Sequence, residues 1–190
     1  YGGDAVYITV PEARVIAHEL GHNLGRQHAN ALRCTHSAGQ QVPMSPWCTT
    51  IEYGDYVDVM GNSSMMHTSA HHKTYGIPSA SDWLLPSNTL TLTLESNPDG
   101  GTYTILPAHN RDGLTSIRIP KALNTGISGG DGYYYLDFRQ AVGYDQHPQI
   151  PPSSTDLYGG ITFRWGAPGM NQSTWVINTM FAKAASGAAT

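Results

Sequence analysis

Apolar and polar residues follow two different rhythms along this chain. In the second half, "LTLTLES", "GTYTILPA", "TSIRIP", "GYYYLDFRQ", "GITFRW" and "TWVINTMF" each put apolar side chains at alternate positions, with turn-rich spacers between them. A period of two marks strands with one face in a core, so residues 88–190 are expected to form an antiparallel β-sandwich. In the first half the rhythm differs. "AVYITV" at residues 5–10 is a β-branched and aromatic run that predicts a buried strand. Pro11 then suits the first turn of a helix, where its missing N–H would have had no partner. From Pro11 to Leu24, a turn of about 100° per residue gathers Ala13, Ile16, Ala17, Leu20 and Leu24 in one sector. His18 and His22 fall together on the opposite side, and Gly25 is placed to end the helix in a left-handed conformation.

Residues 29–54 show no periodicity and predict a long loop. "EYGDYVDVMGNSS" follows as a tight segment around Met60, and "SAHHKTYGI" and "SASDWLL" predict one or two short helices. The change of rhythm places a boundary near residue 87, with an α/β (α+β) region over 1–87 and the sandwich over 88–190. Within "YYYLDF", alternation assigns Tyr134, Leu136 and Phe138 to the buried face. The final "KAASGAAT" predicts a frayed tail.

Composition narrows the function. With 39% apolar residues in 190, the chain can build a real core. Charged residues make up only 13% and the net charge is -4, so no basic surface is available for nucleic acid. No apolar run approaches the roughly 20 residues of a membrane-spanning helix. A surface of neutral polar groups and turns suggests a secreted protein, and Cys34 and Cys48 are expected to pair in a disulfide. Closing that loop would contribute roughly 3 kcal/mol. "YGGDAVYITV" has neither the basic start nor the cleavage site of a signal peptide and reads as the interior of a longer protein.

The face opposite the apolar sector carries the chemistry. In "AHELGHNLGRQH", His18 and His22 are four apart on a helix, so their rings leave one side a turn apart and can grip one ion. Gly25 lets the chain swing back so that His28 supplies a third nitrogen. Zinc accepts such a set in tetrahedral geometry, with the fourth position left for water. Glu19, about 100° around the helix from His18, is placed to reach that water as general base and acid without becoming a ligand. Bound zinc lowers the pKa of the water towards about 7 and polarises the carbonyl under attack. The spacing H-E-x-x-H-x-x-G-x-x-H fixes five positions, and chance would produce it in roughly one chain of this length in 10⁴.

At these five positions the chain resembles the metzincin clan of zinc endopeptidases. The combination of "HELGHNLGRQH", "EYGDYVDVMG" and "YYYLDFRQAVGYD" is most similar to the gametolysin-like peptidases. The resemblance implies a metzincin-like catalytic domain with Zn2+ on His18, His22 and His28, and Met60 as an apolar floor under the metal. It implies a protein or peptide substrate. It also implies on the order of a hundred residues before the active-site helix, including the strand that binds substrate backbone. Only about ten precede it here, so the catalytic domain is expected to be N-terminally incomplete, its missing part removed or carried by a separate segment or chain.

Other polar residues receive plainer assignments. His36, His67, His71 and His72 are expected in loops or short helices, with the His71 and His72 pair a solvated polar turn. His109 and His147 receive no role. Asp55 and Asp58 lack the surroundings of a calcium loop and are expected to cap turns. The function expected overall is peptide hydrolysis by metal-activated water. The rival is a zinc-stabilised binding module without catalysis, recognising a glycan or a protein partner.

Overall fold

A computed structural model of the chain describes residues 5–61, 65–74, 88–93, 95–121, 132–147, 150, 152–153, 157–166 and 174–177. The expected boundary at residue 87, all of "SASDWLL" and the C-terminal tail lie outside the described residues. Residues 5–10 form no strand and are largely exposed, Tyr7 at 91%. Strand propensity is realised only where a neighbouring strand pairs with it, and among the described residues none does so here.

Helix α1 (Ala13–Asn23) starts after Glu12, which is extended, and ends at Leu24. Gly25 has φ 80°. Its N–H reaches the carbonyl of His22 at 2.9 Å, while the Arg26 N–H reaches that of Gly21 at 3.0 Å. This pair of bonds is a Schellman motif, and it needs the left-handed conformation that glycine adopts without steric cost. The helix is seated differently from the expected apolar sector. Leu20 is 47% exposed, and Gly21 is the buried residue. Ala17 packs against the cluster of Ala29, Val59 and Met60, because the small residues Ala17 and Gly21 admit Met60 where Leu20 would not.

The expected loop over 29–54 is a three-stranded antiparallel unit. Strand β1 (Ala29–Thr35) pairs with β2 (Gln41–Val42) on one side of its length and with β3 (Trp47–Ile51), where Cys34 lies opposite Cys48 and Ala31 opposite Ile51. The Cys34–Cys48 disulfide joins these partners. Alternation was invisible in the sequence because β3 is mostly exposed and β1 is built largely of small and polar residues.

The remaining strands are β4 (Thr89–Thr91), β5 (Ser116–Pro120), β6 (Tyr133–Phe138), β7 (Ile161–Gly166) and β8 (Thr174–Ile177), with a short helix α2 (Ala70–Thr74) before them. The expected sandwich does not describe how they associate. All eight strands join one mixed sheet of order β2-β1-β8-β7-β6-β5-β4, with β3 beside β1. Pairing is parallel between β1 and β8 and between β4 and β5, and antiparallel elsewhere. Alternation reveals strands but not their neighbours, so the division near residue 87 does not divide the sheet.

The two faces of the sheet are buried by different means. On one, Leu32, Cys34, Trp165 and Ile177 form an apolar cluster that draws on both halves of the sequence. Tyr134 stacks on Phe163 there at 5.2 Å between ring centroids. On the other, Tyr135 and Asp137 are 1% exposed, whereas Tyr134, Leu136 and Phe138 are only half-buried, the reverse of the expected phase. Charge pairing explains the reversal. Arg164 Nη1 lies 2.9 Å from Asp137 Oδ2, and Arg164 Nε lies 2.7 Å from Asp55 Oδ2. Helix α2 covers this face, with the Ala70 N–H donating to Asp137 Oδ2 at 3.3 Å and the His71 ring edge-on to Tyr135.

Candidate metal centre

The three histidines of the motif converge. Each ring offers one ligand atom, and these atoms lie within 4.8 Å of one another. The ring centroids are 4.8 Å apart for His18 and His22, 5.0 Å for His22 and His28, and 5.6 Å for His18 and His28. Two rings come from successive turns of α1, and the third comes from the segment between the Gly25 turn and β1.

Each imidazole has its Nδ1 engaged by an acceptor. His18 Nδ1 donates to the carbonyl of Val59 at 2.9 Å, and His22 Nδ1 to the carbonyl of Arg26 at 2.8 Å. His28 Nδ1 meets Glu52 Oε1 at 2.8 Å. An acceptor on Nδ1 fixes the proton there and leaves the Nε2 lone pair to ligate, which is the outer-shell pattern of metal-binding histidines. Burial pushes the His22 pKa below its ordinary value, opposed by the bond to Arg26 and aided by His18, a shift in the direction of the neutral form that ligates. Three imidazoles with converging nitrogens fit a borderline-soft divalent cation such as zinc.

The surroundings are laid out by the same local rules. Met60 is fully buried, and its sulfur lies against α1 at Gly21, between the two helical histidines in sequence. A Cβ on Gly21 would overlap Met60 Sδ and sit 3.1 Å from its Cε. The Met60 carbonyl accepts the Ala29 N–H at 2.9 Å, tying this segment to the residue after His28. Asp58 holds the turn: its Oδ1 accepts the Met60 N–H at 2.8 Å, and its Oδ2 accepts the Ser69 N–H at 2.7 Å. Asp55 Oδ1 accepts the Val57 N–H at 3.1 Å. Both aspartates therefore cap turns, and both also carry buried charge.

His71 and His72 are completely buried rather than solvated. His72 Nδ1 lies 3.1 Å from Asp58 Oδ2. Desolvation by itself raises the Asp58 pKa, but the charge and hydrogen bond of His72, the Met60 N–H and Arg164 together hold it well below the usual carboxylate range. This pair supports the methionine turn from behind; it belongs to the scaffold.

Glu19 is half-buried and lines an open cleft of about 240 Å³ with Arg14, Val15, His18, Tyr53 and Gly61. His18 borders the same cleft, so the carboxylate and one of the three converging imidazoles share a solvent-accessible space. Sequence reasoning missed two residues here, Glu52 and Tyr53. The ring of Tyr53 lies against that of His28 at 3.9 Å between centroids, tilted by 36°, and is 5.9 Å from that of His18. The only signal available was a glutamate and a tyrosine just ahead of Gly54, and nothing local connected them to His28. His36 lies at an exposed turn, and His67, His109 and His147 lie apart from the three-histidine group. Comparison with protein-family models, with curated proteins and with solved structures finds no match to this chain.

Proposed function

We propose that the chain is the catalytic part of a secreted, metzincin-like zinc endopeptidase of gametolysin-like type, with His18, His22 and His28 as ligands and Glu19 as general base and acid. One observation carries the proposal: three imidazoles with their Nδ1 protons tied back, their remaining nitrogens brought together, and a carboxylate in the adjoining cleft. Bound zinc would supply an acidified water and a Lewis acid for the substrate carbonyl. The residues of the chain do the rest. Glu19 accepts the proton of the attacking water and returns it to the leaving amine, so the peptide C–N bond breaks while a C–O bond forms and no covalent enzyme intermediate is needed. Tyr53 and Val15 wall the cleft that receives the peptide. The Cys34–Cys48 disulfide supports an oxidising, extracellular setting.

Metal analysis of the purified chain and a casein or gelatin digestion, each with and without a chelator, test the reading. The expected result is one zinc per chain and a proteolysis that chelation abolishes. Glu19→Gln should keep the metal and lose about 10²- to 10⁴-fold in turnover. A wild-type chain that binds zinc yet digests nothing would favour the non-catalytic binding module.

A further inference from the structure

We infer that the turn Ile51–Gly54 is a clamp that sets the pose and donor strength of His28, with Glu52 and Tyr53 as its positioning residues. The inference rests on the zinc reading of the site. His18 and His22 are spaced by their helix, and their Nδ1 atoms meet backbone carbonyls. His28 has no helix to hold it. Its Nδ1 meets a side chain instead, and Glu52 is the carboxylate in the set.

The backbone of the turn is built to deliver these contacts. Tyr53 has φ 58°, the one non-glycine residue with positive φ among the described residues. A tyrosine in that conformation is strained, and such strain persists only where the surroundings enforce it. Here they do. The Tyr53 N–H donates to Asn30 Oδ1 at 3.1 Å, and Asn30 Nδ2 donates to the carbonyl of His28 at 3.3 Å. One amide side chain therefore fixes the clamp relative to the backbone of the ligand it grips. The Gly54 N–H closes the turn on the carbonyl of Ile51 at 3.1 Å. A Cβ on Gly54 would lie 2.7 Å from that of Ala31, so only glycine lets the turn settle against β1.

The result is an imidazole held by a carboxylate at one edge and an aromatic ring across one face. A carboxylate acceptor on Nδ1–H makes Nε2 a stronger donor than a carbonyl would, and losing such a partner typically costs about 10- to 100-fold in metal affinity. The side chain of Glu52 is 66% exposed, so replacing it leaves the core untouched.

The test measures zinc affinity of the metal-free protein by competition with a chromophoric chelator, together with the visible spectrum of the cobalt-loaded protein. Glu52→Ala should weaken zinc binding about 10- to 100-fold and shift the cobalt bands, with the urea midpoint unchanged. Glu52→Gln, which keeps an acceptor and loses the charge, should fall between. Tyr53→Gly should relieve the backbone strain and hold or raise folding stability, yet weaken zinc binding, whereas Tyr53→Phe should match wild type. Wild-type affinity and an unshifted cobalt spectrum in both Glu52→Ala and Tyr53→Gly would overturn the clamp while leaving the zinc reading intact. If the wild-type chain bound no zinc, or His22→Ala bound it equally well, the zinc reading would fail and take the clamp with it.

Discussion

Arg164→Met tests whether buried charge, rather than apolar packing alone, joins the methionine turn to the sheet. Arg164 is fully buried on β7 and serves two carboxylates, Asp55 at 2.7 Å and Asp137 at 2.9 Å. Burial disfavours the charged guanidinium, but Asp137 and Asp55 more than reverse this and raise its pKa above the ordinary value. In the variant, Asp137 keeps the Ala70 N–H and Arg139 at 3.7 Å, and Asp55 keeps the Val57 N–H. Neither residue keeps a direct hydrogen bond to a cation among the described residues. Removing one member of a buried pair costs about 3–5 kcal/mol, and one cation serving two anions places the loss in the upper part of that range. Against a total stability of about 5–15 kcal/mol, the variant should melt roughly 8–20 °C lower. Urea unfolding can be followed by the fluorescence of Trp165, the next residue and 1% exposed. The triple variant Arg164→Met, Asp55→Asn, Asp137→Asn should recover part of the loss, because the penalty lies in uncompensated charge. A loss below about 1 kcal/mol, as for an exposed pair, would refute the reasoning.

Two further outcomes are expected. Gly21→Ala gains about 1 kcal/mol of helix propensity but forces a methyl group into the space of a fully buried Met60, so it should destabilise by about 1–2 kcal/mol in a thermal melt, and Met60→Leu in the same chain should restore part of it. A net stabilisation would mean that Met60 moves freely. Lys73 has its pKa pushed down to about 8, first by burial and then by Arg139, against Asp137 and Asp145. The unfolded chain keeps that proton to about pH 10.4, so between about pH 8 and 10 the unfolded state binds more protons and this group makes stability rise with pH. Urea midpoints at pH 7.5 and 10 should show that increment in wild type and lose it in Lys73→Met; equal pH slopes would remove Lys73 from the account.

The convergence of the three histidines was legible because their spacing is local. Positions four apart share a helix face whatever the rest of the chain does, and Gly25 announces the turn that returns His28. Glu52 and Tyr53 were not legible, since they reach His28 through the register of β1 against β3, and that register is written in cross-strand partners rather than in periodicity. The cysteines were the one hint: an expected pair at 34 and 48 implied that two stretches of the supposed loop lay side by side. In β6 the period was readable but its phase was not. Asp137 counts as polar and was sent outward, and only Arg164, placed opposite by the fold, makes its burial tolerable. Leu20 failed in the other direction: hydrophobicity put it inside, but the space beside Met60 suited Gly21 and Ala17.

The position of β8 has a consequence for how the molecule is made. This strand is among the last described stretches of the chain, yet it runs through the interior of the sheet, parallel to β1 and antiparallel to β7. As the polypeptide leaves the ribosome, β1 to β3 can assemble early and β4 to β7 later, but each wing keeps an open edge until Thr174–Ile177 emerges to zip them together. Until then β1, the strand that starts beside His28, lacks one of its neighbours. Nascent chains halted before residue 174 would present two unpaired β edges, a known template for aggregation, so the sheet closes only with the arrival of a four-residue keystone.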